Sequence, residues 1–596
     1  MTAIAIVASG ALSPLGAGES ATAVGGANER PRSVVVDDEE LRAAGLRKPR
    51  AARVPAGLLE ASTPRPEALL AAAARALVED LDGTLPAWRG LRLALCVGSS
   101  AGGLWSLERA LALRAQGAPI PPDLARGAFY EGPLAALAPW FDPAAPRVSV
   151  LGACVASTFA LGLAARWLSA GHADLVIAGG YDALSVFVAS GFEALGATTG
   201  SMPAPFRALR DGMALGEGAA LLALMRVGEA PRVRAAVLGF GATSDAVHVT
   251  APDRAGTGLV RAARAALADA RTEPDAIDFV SAHATATAHN DAAEAVALSR
   301  VFEGLSRSPA VHPFKGVVGH TLGAAGALEV LAAADAMQRG LLPGAVGEGP
   351  LDPAFNGRLL ETNEPGRSRR CLKLSAAFAG TNAALVLAAD VPSGSPAVAP
   401  LRQVTLLHEG ELVSEPDSEL LAAGTRLDEL RRSRLDRASA LAVTAAARAL
   451  ATLPALDRAT VAVVVGTFAA SLEANELFDA RRRERGAALV EPRRFPATSP
   501  NLPAGWCTLA FGLHGPSIAI GGGPGAWAQA LVVANDLVAA GDAEHALVIG
   551  CDDVGPVTQD LCRAAGLMAP ASGARAVVLG TDPGGRAFVR PDLRHR

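Results

Sequence analysis

Two stretches decide the fold: VSVLGACVASTFALGLAARWLSAGHADLVIAGGYDA at 148–183 and IAIGGGPGAWAQALVVANDLVAAGDAEHALVIGCDD at 518–553. Each predicts a buried strand, a small-residue turn, an alanine-rich helix and a second buried strand. They align without a gap at an offset of 370 residues, and a repeat this long indicates a duplicated unit. Uninterrupted Val, Ile and Leu strands that alternate with helices favour an α/β fold whose sheets are covered on both faces.

The repeat extends outward from these stretches. Three further pairs of segments resemble each other: 69–81 with 441–453, 91–111 with 461–478, and 216–225 with 574–582. Nothing in the second copy corresponds to 230–390, so the second copy is predicted to be half of the first.

The domain boundaries follow from this repeat. We expect a complete unit at 1–392, with halves of about 1–225 and 226–392, and a half-unit at 402–596. Between them, the segment DVPSGSPAVAP at 390–400 is typical of a linker, placed at 393–401.

Composition excludes several classes of function. The net charge is −5 and no basic tract suggests nucleic acid. No apolar run is long enough to span a bilayer, and the first residues lack the charged start of a signal peptide. The six cysteines have neither disulfide nor metal-ligand spacing. We expect a cytoplasmic protein without a metal.

Cys154 is the candidate nucleophile. It follows Gly152 and Ala153 at the predicted start of a helix, where a tight strand-to-helix turn exposes a side chain and the helix dipole favours a thiolate. A small buried core residue is the alternative for an isolated cysteine. The same offset places Pro524 at the equivalent position of the second copy, so we expect one active site per chain.

Two histidines are candidates to act with this cysteine. His283 directly follows a predicted strand, and His320 precedes a predicted helix. A cysteine with two distant histidines suits nucleophilic catalysis with stabilisation of an oxyanion or carbanion. A structural role is the alternative for each histidine alone, and the spacing does not favour a metal site.

Four ordered motifs make the resemblance to a known family specific. They are GACVAST at 152–158, HATATAHNDAAE at 283–294, KGVVGHTLGAAG at 315–326 and FAGTNAAL at 378–385. They resemble the active-site motifs of elongating, Cys-His-His β-ketoacyl–acyl carrier protein synthases. The stretch at 203–222 is similar to a further family segment, and the resemblance covers about 1–390.

The resemblance implies a thiolase-like layered α/β/α/β/α fold and a decarboxylating Claisen condensation. It implies that Cys154 takes the acyl group from a carrier-protein thioester, and that His283 and His320 stabilise the enolate of the malonyl unit. Lys315 and Glu294 would form a supporting charged pair, with a surface ion pair as the alternative.

The remaining roles that the resemblance implies concern the substrate. The backbone N–H groups of Cys154 and Phe378 would form the oxyanion hole, and Phe378 would act as a gate. The residues expected to contact the phosphopantetheine arm or the acyl chain are Thr285, Thr287, Ala101, Phe206 and Asn382. For Thr285, Thr287 and Phe378, plain loop packing is the alternative. No cofactor is expected beyond the phosphopantetheine of an acyl carrier protein.

Four positions depart from the family pattern, the first of which is Ser281, where the family usually has glutamate. Alanine replaces the usual glycine at Ala284 and Ala379, which removes backbone freedom and predicts a stiffer gate. Ala101 stands where a bulkier residue is common, which hints at room for a long or rigid acyl chain.

The second copy resembles the N-terminal half of a ketosynthase without its nucleophile. Relatives of this kind act as chain-length factors, and half-length ones are associated with arylpolyene-type systems; a scaffold left by a decayed duplication is the alternative. The fusion predicts an internal pseudo-dimer, in which the loop at 498–501 borders the acyl tunnel of the first unit. Self-association of such fused chains into dimers is also expected.

Three other functions compete with an elongating ketosynthase of polyketide or polyene assembly. A housekeeping fatty-acid ketosynthase does not account for the fused half-copy. A catalytically silent chain-length factor or scaffold does not account for Cys154, His283 and His320. A thiolase fits poorly because no second cysteine stands in a matching motif.

Overall fold

The computed structural model describes residues 2–390, 400–453 and 456–593, so most of the predicted linker lies outside the described residues. The first half of the first unit is a mixed sheet with helices on both faces. Its elements are β1 Ile4–Ser13, β2 Gly16–Ala17, β3 Val36–Asp37, α1 Glu39–Ala43, β4 Arg50–Ala52, α2 Arg65–Thr84, β5 Leu93–Ser99, α3 Leu104–Ala115, α4 Pro122–Gly127, β6 Arg147–Leu151, α5 Ala156–Ser169, β7 Leu175–Asp182, α6 Val186–Ala194, β8 Leu215–Gly216 and β9 Gly218–Arg226.

The second half of the first unit has the same kind of layering. Its elements are β10 Ala235–Ser244, α7 Thr257–Asp269, β11 Phe279–Ser281, α8 Ala288–Val301, β12 Ala310–His312, α9 Lys315–Val318, α10 Ala325–Arg339, β13 Leu341–Leu342, β14 Glu364–Pro365, β15 Arg370–Ala376 and β16 Thr381–Ala388.

The half-copy follows with an arrangement like that of the first half. Its elements are β17 Thr405–Glu409, α11 Ser418–Ala423, α12 Glu429–Arg432, α13 Arg437–Ala451, β18 Val461–Thr467, α14 Leu472–Arg485, α15 Leu502–Phe511, β19 Ser517–Gly521, α16 Ala526–Ala540, β20 His545–Asp552, α17 Pro556–Ala565, β21 Gly573–Gly580 and β22 Arg586–Ala587.

One five-stranded order occurs three times. It is β6-β5-β7-β9-β1 in the first half, β12-β11-β15-β16-β10 in the second half and β19-β18-β20-β21-β17 in the half-copy. In each, the first three strands are parallel to one another and the last two are antiparallel to their neighbours. Helices α5 and α10 are buried almost throughout and pack together against both sheets of the first unit. The predicted thiolase-like layered fold is confirmed.

The half-copy is joined to the first unit through a shared sheet. Strands β6 and β19 pair antiparallel, with Val150 opposite Ile520. These two residues are equivalent in the repeat, so a local pseudo-twofold axis passes between them. The half-copy therefore lies against the 80–190 region of the same chain, as the repeat predicts.

Buried polar contacts reinforce this junction. Arg166 forms ion pairs with Asp542 of the half-copy and with Asp269, the latter at 2.9 Å. The Tyr130 hydroxyl lies 2.7 Å from the Ser471 hydroxyl and also accepts a hydrogen bond from the Ser471 N–H. No helix within the described ranges combines the length and apolar character needed to cross a membrane.

Candidate active site

Cys154 lies at the turn between β6 and α5, as its sequence context predicts. It stands in a short 3-10 turn, Ala153–Val155, that leads directly into α5. Ala153 adopts a left-handed conformation with φ of +46°, which is strained for a residue with a side chain. This sharp bend presents the sulfur to a cavity of about 330 Å³ that His283, His320 and Phe378 also line.

His320 is hydrogen-bonded to the nucleophile. Its Nε2 lies 2.9 Å from Cys154 Sγ, and its Nδ1 accepts a hydrogen bond from the Leu322 N–H at 3.2 Å. Burial, with Lys315 and Lys373 nearby, holds the pKa of His320 well below its usual range. A neutral ring whose Nδ1 accepts must carry its proton on Nε2. His320 therefore donates toward the sulfur.

His283 is oriented in the same sense. Its ring lies 5.6 Å from that of His320, nearly perpendicular to it. The Lys315 ammonium is 3.4 Å from His283 Nδ1, which leaves Nε2 as the protonated nitrogen. Burial, followed by Lys315, lowers the pKa of His283 well below its usual range. Two neutral imidazoles thus present N–H donors to one cavity.

The expected Lys315–Glu294 pair is corrected by the geometry. Lys315 forms its ion pair with Glu329, at 2.6 Å. Glu294 instead accepts hydrogen bonds from the backbone N–H groups of His283 and Ala284, at 2.6 and 2.7 Å. The physical reason is that α8, which carries Glu294, begins just after the His283 loop and places its carboxylate under that backbone, whereas α10 brings Glu329 to the lysine.

The expected thiolate is also corrected. Burial raises the pKa of the Cys154 thiol to about 12, opposed by the Lys315 ammonium and reinforced by Asp182 and Glu329. The helix start is present, but the loss of water around the sulfur outweighs it. The free protein therefore holds Cys154 as a thiol near neutral pH.

The substrate-contacting predictions divide into two groups. Thr285 and Thr287 line the cavity, with their hydroxyl oxygens 3.0 Å apart. Phe206, Asn382 and Ala101 are not among the described residues that line this cavity, and their assignment as substrate contacts stays a prediction.

Each of these three residues has a packing or hydrogen-bonding contact in the structure. Phe206 is buried and stacks on Phe355, with ring centroids 4.4 Å apart. Asn382 donates to the Asp245 carboxylate at 2.8 Å, and Asp245 itself lines the cavity. Ala101 packs against an apolar cluster that includes the cavity-lining residue Phe192.

The half-copy contributes directly to the gate region. The Asn501 side-chain amide donates to the Phe378 carbonyl at 3.1 Å. The Phe378 ring packs with Phe192, at 5.5 Å between centroids, and with Phe495 of the half-copy, at 6.4 Å. Gly505 of α15 lies so close to Ala379 that a methyl group there would collide with it. Residues 495–505 of the half-copy therefore contact Phe378 and Ala379 across the junction.

Three residues of the site were not found from the sequence: Glu329, Lys373 and Phe495. Glu329 and Lys373 carried a usable signal, because each is a charged residue between apolar neighbours in a buried stretch of a helix or strand. Phe495 carried none, since its role depends on how the two copies pack.

The comparisons with known proteins agree with this geometry. The N-terminal domain of β-ketoacyl synthases matches residues 1–230 and again 412–590, and the C-terminal domain matches 234–347. A mitochondrial 3-oxoacyl-[acyl-carrier-protein] synthase from Arabidopsis thaliana is 36% identical over 259 residues, which cover 41% of this chain and 56% of the relative. The chain spans about half the length of the first curated relatives it matches.

Two solved structures extend the comparison, and the first of them covers the half-copy as well. The PfaC keto synthase-chain length factor superposes with a TM-score of 0.77 at 17% identity, and the match covers 97% of this chain and 78% of the PfaC chain. The two chains therefore share a fold. The ketosynthase ApeO, in complex with its chain length factor ApeC from Xenorhabdus doucetiae, has a TM-score of 0.53 at 26% identity, with coverages of 65% and 98%. Together, the matched domains and the Cys-His-His site show that the chain belongs to the β-ketoacyl synthase family.

Proposed function

We propose that this chain condenses an acyl group held on Cys154 with a malonyl unit delivered by an acyl carrier protein. One observation carries the proposal: Cys154 Sγ and the N–H donors of two neutral histidines meet in a single cavity, with His320 Nε2 at 2.9 Å from the sulfur. A nucleophile beside two preorganised donors suits a reaction that forms an acyl thioester and then an enolate.

The first half-reaction transfers the acyl group. The Cys154 sulfur attacks the carbonyl carbon of the incoming thioester, and the tetrahedral intermediate expels the phosphopantetheine sulfur. The thiol proton of Cys154 ends on that departing sulfur, so one thioester replaces another. The backbone N–H groups of Cys154 and Phe378 are proposed as donors to the oxyanion, since both residues border the cavity.

The second half-reaction forms the carbon–carbon bond. The malonyl carboxylate leaves as carbon dioxide, and its electron pair forms an enolate whose oxygen accepts from His283 and His320 Nε2–H. The enolate carbon attacks the acyl carbonyl on Cys154 and expels the cysteine sulfur as a thiolate, which takes up one proton from water to restore the thiol. The product is a β-ketoacyl thioester on the carrier protein. Thr285 and Thr287, at the cavity wall, are proposed to bind the phosphopantetheine arm.

The half-copy is proposed to act as a catalytically silent partner of chain-length-factor type. Its support is the β6–β19 pairing and the two residues that it places at the gate, Phe495 and Asn501. The likeness to a ketosynthase that is bound to its chain length factor supports the same arrangement. Polyketide or polyene assembly is the proposed setting. The division at 392 and 402, self-association and a cytoplasmic location stay predictions.

A condensation assay tests the proposed function. The protein is incubated with malonyl-carrier protein and a series of acyl-carrier proteins that differ in length and unsaturation. Mass spectrometry of the carrier protein should show a β-ketoacyl product for at least one donor, and the Cys154→Ala variant should yield none. Carrier protein that gains no β-ketoacyl group with any donor would refute the proposal and favour a silent role.

A further inference from the structure

A buried lysine beside the site has no part in the steps above. Lys373 lies in the middle of β15, and none of its side chain is exposed. Its ammonium lies 2.7 Å from Glu329 Oε2 in an ion pair, and it also donates to the Leu374 carbonyl. Burying an ammonium costs several kcal/mol before pairing. A neutral residue would therefore be the less costly choice for strand stability alone.

Glu329 is shared between two ammonium groups, one at each carboxylate oxygen. Lys315 Nζ lies 2.6 Å from Oε1, opposite Lys373 at Oε2. The three side chains are all but sealed from water, with exposed fractions of 4%, 1% and 0% for Lys315, Glu329 and Lys373. One carboxylate neutralises only one ammonium. Among these three side chains, one positive charge is therefore in excess while both lysines are protonated. Burial lowers the pKa of Lys373, and Glu329 opposes that shift. Burial also raises the pKa of the nearby Glu294 carboxyl to about 7, which reduces the negative charge that it sets against the lysines.

The excess charge faces the two histidines. Lys315 touches His283 Nδ1, and both lysines lower the pKa of His283 and of His320, in each case after burial. The other titratable groups that interact with this cluster from neighbouring elements are Glu294 on α8, His312 on β12, Cys371 on β15, and Asp182 and Cys154 at the turns after β7 and β6. Of these, Glu294 is occupied by the backbone of the His283 loop.

We propose that Lys373 is a positioning residue: by sharing Glu329, it leaves the Lys315 charge uncompensated, which keeps both imidazoles neutral with Nε2–H directed at the enolate oxygen. This inference rests on the proposed function. Without Lys373, Lys315 and Glu329 would cancel. Each histidine would then take up a proton on Nδ1 more easily, which would break its contact with Lys315 or with the Leu322 N–H. An imidazolium would also be able to protonate the enolate carbon before condensation.

The test is a charge-restoration series in the full chain. Decarboxylation of malonyl-carrier protein is followed against pH in wild type, Lys373→Met, and the double variant Lys373→Met with Glu329→Gln. In Lys373→Met, the acid limb of the pH–rate profile should move up by about one pH unit, since a neighbouring charge shifts a pKa by roughly that amount. The rate at a pH on that limb should therefore fall about tenfold, whereas the rate at pH 7 should stay close to that of wild type. In the double variant, Lys315 is again without a neutralising carboxylate at position 329, so the acid limb should return toward its wild-type position.

A purely structural role predicts a different pattern. It would lower the rate of Lys373→Met at every pH without moving the acid limb, and the double variant would be worse than the single one. Either result would overturn the proposal. Circular dichroism melting of each variant checks that the comparison is made between folded proteins.

A second measurement needs no substrate, and uses variants only to assign the resonances. In wild-type protein labelled with ¹³C at the histidine ring, the resonances that disappear in His283→Ala and His320→Ala should show neutral rings down to pH 5.5. Titration of either ring near pH 6.5 would contradict the proposal. Because this readout is independent of decarboxylation, a wild-type protein that does not decarboxylate malonyl-carrier protein would refute the proposed function while leaving the role of Lys373 testable.

Discussion

Segments 148–183 and 518–553 have the same order of strands and helices, but the first has a nucleophile, Cys154, where the second has Pro524. Strands β6 and β19, the starts of α5 and α16, and strands β7 and β20 all correspond at the offset of 370 residues. Both copies also use an aspartate at the end of one strand to bind the turn after a neighbouring strand. Asp182, at the end of β7, accepts hydrogen bonds from Ser99 and Ser100 at the end of β5. Asp552, at the end of β20, accepts hydrogen bonds from Thr467 and Phe468 at the end of β18. The duplicated unit was therefore retained in structural detail.

The difference is in what covers the turn. Cys154 lies under the second half of the first unit, which supplies His283, His320 and Phe378. Pro524 is exposed, so none of the described residues covers it as the second half of the first unit covers Cys154. Equivalent positions 131 and 501 likewise differ, because Glu131 lies against Gly523 whereas Asn501 reaches the gate of the working site. The strand-to-helix turn at Cys154 therefore forms a candidate active site because the second half of the first unit places its histidines beside it.

Exchanging the nucleophile between the copies should give the largest effect. Cys154→Ala should lower acyl transfer at least about 10³-fold, because no other group can form the thioester. Adding Pro524→Cys to that variant should restore nothing, since no histidine faces the second turn. Acyl-carrier loading followed by intact-mass spectrometry measures both. A recovered adduct on residue 524 would break the comparison.

The junction between the copies should depend on Arg166. Arg166→Met leaves Asp542 and Asp269 without this shared buried partner, and loss of one member of a buried ion pair costs about 3–5 kcal/mol. Chemical denaturation should show that loss in the free energy of unfolding. Arg402→Ala, which removes an exposed ion pair with Glu544, serves as control and should cost about 0–1 kcal/mol. Equal costs for the two variants would contradict a tightly built junction.

The half-copy's contact with the gate gives a smaller effect on activity. Asn501→Ala removes the hydrogen bond to the Phe378 carbonyl, which is worth about 1 kcal/mol, and should slow acyl transfer about fivefold. Asn535→Ala removes a side-chain amide of the half-copy that donates to Asp536, and should leave acyl transfer at the wild-type rate. If Asn501→Ala transferred acyl groups as fast as that control, the contact between Asn501 and Phe378 would have no effect on acyl transfer.

The pH dependence of Cys154 alkylation sharpens the account of the thiol. Because burial raises the thiol pKa to about 12, the thiolate fraction near neutral pH is small and grows with pH. The rate of iodoacetamide adduct formation at Cys154 should therefore rise about tenfold per pH unit from pH 7 to pH 9. A plateau below pH 8 would show a thiol pKa in the neutral range instead, as the helix start alone suggests.

The alanines that replace glycines should give the smallest effect. Ala284 and Ala379 both lie in the left-handed region, with φ of +42° and +68°, which costs a residue with a side chain about 1–2 kcal/mol. Ala379→Gly should raise the free energy of unfolding by up to about 1 kcal/mol, after the greater flexibility of glycine in the unfolded chain is offset. A clear loss of stability would show that the Ala379 methyl group has a packing role against Gly505.

Much of this arrangement could be predicted from the sequence. The repeat predicted the duplicated unit and its missing half, and the motifs predicted the segments that carry Cys154, His283 and His320. The pairing of Lys315 with Glu329 could not be predicted, because it depends on which helix packs beneath the His283 loop. The raised pKa of the Cys154 thiol could not be predicted either, because the spacing of residues in the sequence does not reveal how deeply the sulfur is buried. The contacts of Asn501 depended on how the two copies pack against each other.

The central claim is that each chain contains one working site, at Cys154, with the second copy silent. Its most direct test is the stoichiometry of acylation in the intact protein. Saturating acyl-carrier protein should add one acyl group per chain, and peptide mapping should place it on Cys154. Two acyl groups per chain, or a single group on any residue other than Cys154, would contradict the account.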